Sequence, residues 1–164
     1  MPTRRMITLR DKSWMFQHRV AAIALRDDRA LLCRDNVNGY WYMPGGRVEL
    51  GEPSDTALVR EIREELDTAA RIERLVWVVE NFYGPNPDQT HELCLYYLVS
   101  LPESAVPSTA EEFTIEESDG QKNTFRWWTF EELIGARVYP SFLRTELRAL
   151  PITVQHIIHS DEDG

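Results

Sequence analysis

Three carboxylates crowd one short stretch of the chain: Glu61, Glu64 and Glu65, within Arg60-Glu61-Ile62-Arg63-Glu64-Glu65. On a helix each residue turns by about 100°, so with Glu61 at zero, Glu65 points near about 40° and Glu64 near about −60°. Leu58, Ile62 and Leu66 then fall between about 60° and 140°, which sets an apolar face beside an acidic one. Like charges four residues apart cost a helix a few tenths of a kcal/mol, so stability alone does not favour Glu61 with Glu65. Hard divalent cations bind carboxylate oxygens, and Mg2+ would turn that repulsion into coordination while leaving positions open for water or a phosphate oxygen. The competing reading is a solvated helix whose acids are offset by Arg60 with Glu64 and Arg63 with Asp67.

The elements that must position these acids are legible around them. Pro53, Ser54 and Asp55 suit a helix start, and the spacing of Leu58, Ile62 and Leu66 predicts a helix from 53 to about 67. Upstream, Tyr40-Trp41-Tyr42-Met43 reads as an aromatic strand that stops at Pro44-Gly45-Gly46, where glycine frees the backbone for tight geometry. Arg19 to Leu25 and Ala30 to Cys33 read as a hairpin around Arg26-Asp27-Asp28-Arg29. Arg71 to Phe82 and Glu92 to Leu101 read as longer strands joined by a loop at Gly84-Pro85-Asn86-Pro87-Asp88. Residues 102–123 read as an acidic surface connection. Phe125 to Thr129 reads as a strand entering a helix, Ser141 to Leu150 as a second helix stopped by Pro151, and Ile152 to Ile158 as a last strand. Residues 1–17 are expected to be a loosely docked lead with little function, and 160–164 a frayed tail. One mixed α and β domain spanning 1–164 is the expectation.

With Gly45 to Asp67 in view, the stretch resembles the Nudix box, G, five residues, E, seven residues, then REUxEExGU with U aliphatic. Here the pattern reads Gly46, Glu52 and Arg60-Glu61-Ile62-Arg63-Glu64-Glu65. It departs at the end, where Asp67 stands for the glycine and Thr68 for an aliphatic residue, so the helix either ends differently there or runs on towards Ala70. The resemblance implies an α+β fold, an α/β/α sandwich with a mixed sheet. It also implies hydrolysis of a nucleoside diphosphate linked to another group. By that resemblance Glu61, Glu64 and Glu65 hold Mg2+ or Mn2+ with help from the Gly45 carbonyl, Arg60 orients Glu61, and Glu52 supports the site from the loop. The general base is left open among the box acids and Glu92, Glu111, Glu112, Glu116 and Glu117, each of the latter more at home as a surface acid. A non-catalytic nucleotide-sensing module of the same fold is the alternative, which the complete acid set argues against.

Candidate substrate contacts are Arg34 and Arg47 for phosphate, and Tyr83 and Trp128 for a base. Strand alternation allows at most one of Trp127 and Trp128 to face a pocket. In the resembled family, a Tyr or Pro beyond the box marks different substrates, and Tyr83 and Pro85 lie 15 and 17 residues after Thr68. Together they select neither ADP-ribose nor a dinucleoside polyphosphate.

Composition bounds the partners. Eighteen Lys plus Arg against 27 Asp plus Glu give a net charge of −9, so nucleic acid is not an expected partner and an RNA-processing role is disfavoured. A small anion remains compatible where a metal or a local arginine supplies positive charge. Cys33 and Cys94 sit in apolar runs and read as buried thiols, and four unclustered histidines form no zinc pattern. No run approaches the roughly 18 apolar residues of a membrane span, and no secretory segment follows Arg4-Arg5. A cytoplasmic protein is expected, with a homodimer left open.

Overall fold

The structure is a computed structural model that describes residues 4–107, 112–117 and 120–161. Its strands are β1 (Thr8–Asp11), β2 (Trp14–Arg26), β3 (Arg29–Asp35), β4 (Gly45–Arg47), β5 (Arg71–Tyr83), β6 (Gln89–Ser100), β7 (Phe113–Glu116), β8 (Lys122–Thr129) and β9 (Gln155–Ser160); the helices are α1 (Ser54–Leu66), α2 (Phe130–Gly135) and α3 (Leu143–Glu146). The strands run in the order β7-β8-β3-β2-β6-β5-β9, with β1 and β4 also paired to β2. β2 with β6 and β5 with β9 are parallel and the other pairs antiparallel, so the sheet is mixed.

Alternation along β2 builds two cores. Val20, Ala22 and Ala24 face one cluster with Ala57, Leu58, Ile62 and Leu66 of α1. Ala21 and Ile23 face the other with Leu133, Leu143 and Leu147 of the α2 and α3 side. The helices therefore cover opposite faces, giving the α/β/α layering. Each fully buried Leu or Ile on α1 contributes roughly 1.5–3 kcal/mol, enough to seat the helix despite its acids. Thr129 caps α2 in a reciprocal capping box with Glu132, so the strand runs directly into the helix.

The missing box glycine has a local answer. Asp67 ends α1 in the left-handed region at φ 49° and ψ 36°, and its N–H donates to the Arg63 carbonyl. Asp tolerates this backbone better than most residues because its short side chain bonds locally, so the helix stops without running on. Asp67→Gly should raise stability by about 0.5–1 kcal/mol, read from chemical denaturation; a loss would mean that the Asp side chain contributes more than its backbone costs.

Several expectations need correction. Residues 8–17, read as lead, form β1, a turn at Lys12-Ser13 and the start of β2, because β1 pairs with β2 from Thr8↔Gln17 to Asp11↔Trp14. Trp41 and Tyr42 form only isolated bridges, to Val138 and Cys33, and no strand. The helix read over 141–150 contracts to Leu143–Glu146. The last strand begins later, at Gln155, and includes Ser160, while Asp161 is buried and takes the Ser141 N–H; the rest of the tail, 162–164, lies outside the described residues. Among the described residues no helix is long and apolar enough to cross a membrane.

Candidate active site

A cleft of about 510 Å³ opens where β4 and α1 meet the middle of β2 and β6 and the end of β5, and Glu61, Glu64 and Glu65 line it with Gly45. The two glycines of β4 allow the approach. Gly45 has φ +147°, and a Cβ there would stand 2.1 Å from the Val20 carbonyl; a Cβ on Gly46 would stand 2.2 Å from Glu61 Oε2. Strand and helix thus close to a distance that only glycine permits.

Glu65 is buried and its Oε2 accepts the Gly45 N–H at 3.0 Å. Burial first, and then the Glu61 charge, push its carboxyl well above the ordinary glutamate range. Glu61 is also raised, by burial, although Arg60 opposes the shift. Arg60 grips Glu52 with two bonds of 2.8 Å, donates to Glu61 at 2.6 Å, and reaches the Arg47 carbonyl at 3.2 Å. Its grip holds Glu52 below the usual range. Glu52 also accepts the Glu49 N–H, which ties the loop before α1 to the helix. Arg60 is therefore bonded to both Glu61 and Glu52 and joins the loop before α1 to the helix.

Glu64 is engaged by Arg4, which also approaches Glu49 at 3.4 Å. Arg4 lay in the segment read as an idle lead, and it lines the cleft. The donor set suits a hard divalent cation: carboxylates are its natural ligands, and two of them carry raised proton affinity that a cation would relieve. Among the described residues no group of three or more such side chains is already arranged to hold a metal ion, and the Glu64 carboxylate is engaged by Arg4.

The other candidates divide. Arg47 and Tyr83 line the cleft; Arg47 Nε donates to Gln17 Oε1 at 3.2 Å, and the Tyr83 hydroxyl donates to Glu92 Oε2 at 3.1 Å. Arg34 and Trp128 do not line it. Arg34 bonds Glu112 at 2.8 Å over the Trp41 ring. Trp128 packs edge-on against Trp41 under Arg126, while Trp127 is buried on the opposite face. Of the outside acids, Glu112 and Glu116 pair with Arg34 and Lys122 at the surface, and Glu111 lies outside the described residues. Glu92 departs from expectation: it is buried and, like Glu117, lines the cleft. Cys33 and Cys94 are free and buried, as expected.

Gln17, Arg19 and Asn81 also line or support the cleft and escaped the sequence reading. Their signal was phase: each falls on the alternation that otherwise carries Ala21 and Ile23 on β2, or Trp77 and Val79 on β5.

Residues 15–146 match the NUDIX domain family. The chain belongs to that family. It is 32% identical over 97 residues to the CTP pyrophosphohydrolase of Escherichia coli (strain K12), covering 47% of this chain and 72% of that protein. It is 28% identical over 123 residues to diphosphoinositol polyphosphate phosphohydrolase 3-alpha of Mus musculus, covering 73% and 68%. The chain spans only 41% and 14% of the lengths of two further curated relatives. Among solved structures, a UDP-X diphosphatase superposes with a TM-score of 0.62 at 17% identity, covering 85% of this chain and 66% of that one, a likeness of fold.

Proposed function

We propose that this Nudix protein is a Mg2+- or Mn2+-dependent pyrophosphohydrolase. Its substrate would be a nucleoside diphosphate linked to another group, such as ADP-ribose, an NDP-sugar, a dinucleoside polyphosphate or a modified NTP. The observation that carries this reading is the gathering of Glu61, Glu64 and Glu65 at one wall of a cleft whose other walls include Tyr40, Tyr42, Tyr83 and Tyr139. A phosphoanhydride resists attack because its oxygens are negative, and a bound divalent cation supplies charge on those oxygens and a more acidic water. Glu61, Glu64 and Glu65, with the Gly45 carbonyl, are the groups that would hold it. Arg60 and Glu52 keep Glu61 in place. Arg19 and Arg47 offer positive charge to the phosphate not engaged by the acids. Of the acids outside the box that line the cleft, Glu117 is a candidate for accepting the proton of the attacking water, whereas Glu92 is held by Gln17 and Tyr83 beside Asn81.

The electrostatics favour a nucleotide over an inositol polyphosphate. Among the described residues that line the cleft, Asp35, Glu61, Glu64, Glu65, Glu92, Glu117 and Asp161 are acidic and Arg4, Arg19 and Arg47 basic, and a ring bearing many phosphates would be repelled by such a wall. The two unpaired buried thiols fit a reducing, cytoplasmic setting. Incubation with Mg2+ and a panel of NDP-sugars, dinucleoside polyphosphates, ADP-ribose, oxidised nucleotides and diphosphoinositol polyphosphates, with the products identified, tests the reading. Cleavage between the phosphates of a nucleotide is expected. Binding without phosphate release across the panel would establish a sensing module instead.

A further inference from the structure

Strand register lays four polar side chains in one row, the middle two of which, Glu92 and Asn81, line the cleft. Gln17 on β2 faces Glu92 on β6, Glu92 faces Asn81 on β5, and Asn81 faces His159 on β9. Gln17, Glu92 and Asn81 are 2%, 6% and 4% exposed. Burying such a row costs stability unless its donors and acceptors find partners.

The partners are incomplete in a definite pattern. Glu92 Oε2 accepts from Gln17 Nε2 at 2.7 Å and from the Tyr83 hydroxyl at 3.1 Å, and Arg19 stands 4.0 Å away. All three engage the same oxygen, Oε2. Asn81 Oδ1 is buried without a donor among the described residues, and Asn81 lines the cleft. A buried amide oxygen left unpaired in a native fold calls for a reason, and a ligand donor is one.

We propose that Asn81 and Glu92 together read the base of a guanine nucleotide. The Asn81 carboxamide offers a donor and an acceptor, and Glu92 Oε1 adds a second acceptor on the neighbouring strand, where facing side chains lie about 5 Å apart. The Watson–Crick edge of guanine supplies the complement: the O6 acceptor, then the N1–H and N2–H donors. Cytosine and uracil would turn their O2 oxygen towards Glu92, where it meets a carboxylate. Adenine would set a C–H there and leave the acceptor unpaired. Tyr40 and Tyr139, whose rings meet edge-on at 5.1 Å, line the same cleft and give the base an aromatic wall.

This inference rests on the nucleotide reading above but not on cleavage, so its test is a binding measurement. The α,β-methylene diphosphates of guanosine, adenosine, cytidine and uridine, whose bridging bond resists hydrolysis, are titrated into the protein with Mg2+ by calorimetry. The guanosine compound should bind at least about tenfold tighter than the other three. Asn81→Leu should bring all four within about threefold of one another. It should also raise the thermal midpoint, because the unpaired oxygen is gone; a residue of purely structural value would lower it. Glu92→Gln, which keeps the shape and adds a donor, should selectively improve the pyrimidine compounds and carries the test if Asn81→Leu fails to fold. Equal binding of the four bases by the unaltered protein, a preference for cytidine, or a guanine preference that survives in both variants would overturn the inference. Tight guanosine binding with no cleavage of hydrolysable substrates would leave it standing and sink the hydrolase reading. Cleavage without base preference would do the reverse.

Discussion

Glu65→Gln is expected to lower kcat by roughly 10³-fold, the scale lost when a key group stabilising transition-state charge is removed, while the metal-free protein melts no lower than its parent. Glu65 is the deepest of the three box acids, and its Oε2 accepts the Gly45 N–H at 3.0 Å. A glutamine carbonyl oxygen can keep that bond and fill the same volume, but it offers a divalent ion no negative charge. The stability side follows from burial, which, with the neighbouring Glu61, pushes the Glu65 carboxyl well above its ordinary value. A carboxyl whose proton is held more tightly in the folded state contributes stability below the usual glutamate range, and that contribution disappears as pH rises through the folded value. Glutamine abolishes this loss, so the variant should lose less stability than the parent as pH rises from the glutamate range. Phosphate release under saturating substrate and a pH series of melting curves check the two halves. Turnover within about threefold of the parent would remove Glu65 from the chemistry.

Adjacent glycines should fail in opposite ways. Gly45→Ala sets a Cβ 2.1 Å from the Val20 carbonyl, at a φ of +147° that side chains rarely adopt. Backbone cannot step aside there without parting β4 from β2, so a stability loss of roughly 1–3 kcal/mol or more is expected. Gly46→Ala meets the tip of Glu61 instead, at 2.2 Å from Oε2. A flexible carboxylate can swing away cheaply, so the fold should survive while Glu61 leaves its place beside Arg60. A displacement of about 1 Å at a reacting group can cost 10²-fold in rate, and kcat/KM should fall by about that much. Denaturation midpoints and kinetics on the same pair of variants separate the two effects. A folded, fully active Gly46→Ala protein would mean that the Glu61 position drawn here is not the working one.

Local signals carried most of the architecture into the sequence. Leu58, Ile62 and Leu66 at helical spacing announce α1, and Arg26-Asp27-Asp28-Arg29 announces the hairpin of β2 and β3, which closes at Arg26↔Arg29 with Asp27 at φ 54°. The acids of α1 were legible for the same reason: helix geometry fixes their relative directions from numbering alone. What escaped depends on register between distant strands. Nothing near Asn81 reveals that it faces Glu92, and nothing near Gln17 reveals that it completes that row. Arg4 stands in a polar terminus that carries no period, and its partner Glu64 lies sixty positions away. Ring chemistry alone suits Trp128 to a substrate, but packing against Trp41 uses that ring instead. Tyr40 to Met43 has strand composition, but its bridges go to Cys33 and Val138 one residue at a time.

Strand β2 touches β1, β3, β4 and β6 along its thirteen residues. Deleting a single residue from its middle would exchange its two sides downstream of the cut, sending Ala21 and Ile23 into the layer beneath α1 and Val20 or Ala22 towards α2. Four neighbours would have to shift in concert to absorb that slip. Changes in chain length during divergence should therefore spare this ribbon and accumulate in the segments at 84–88 and 101–107, which lie outside the strands.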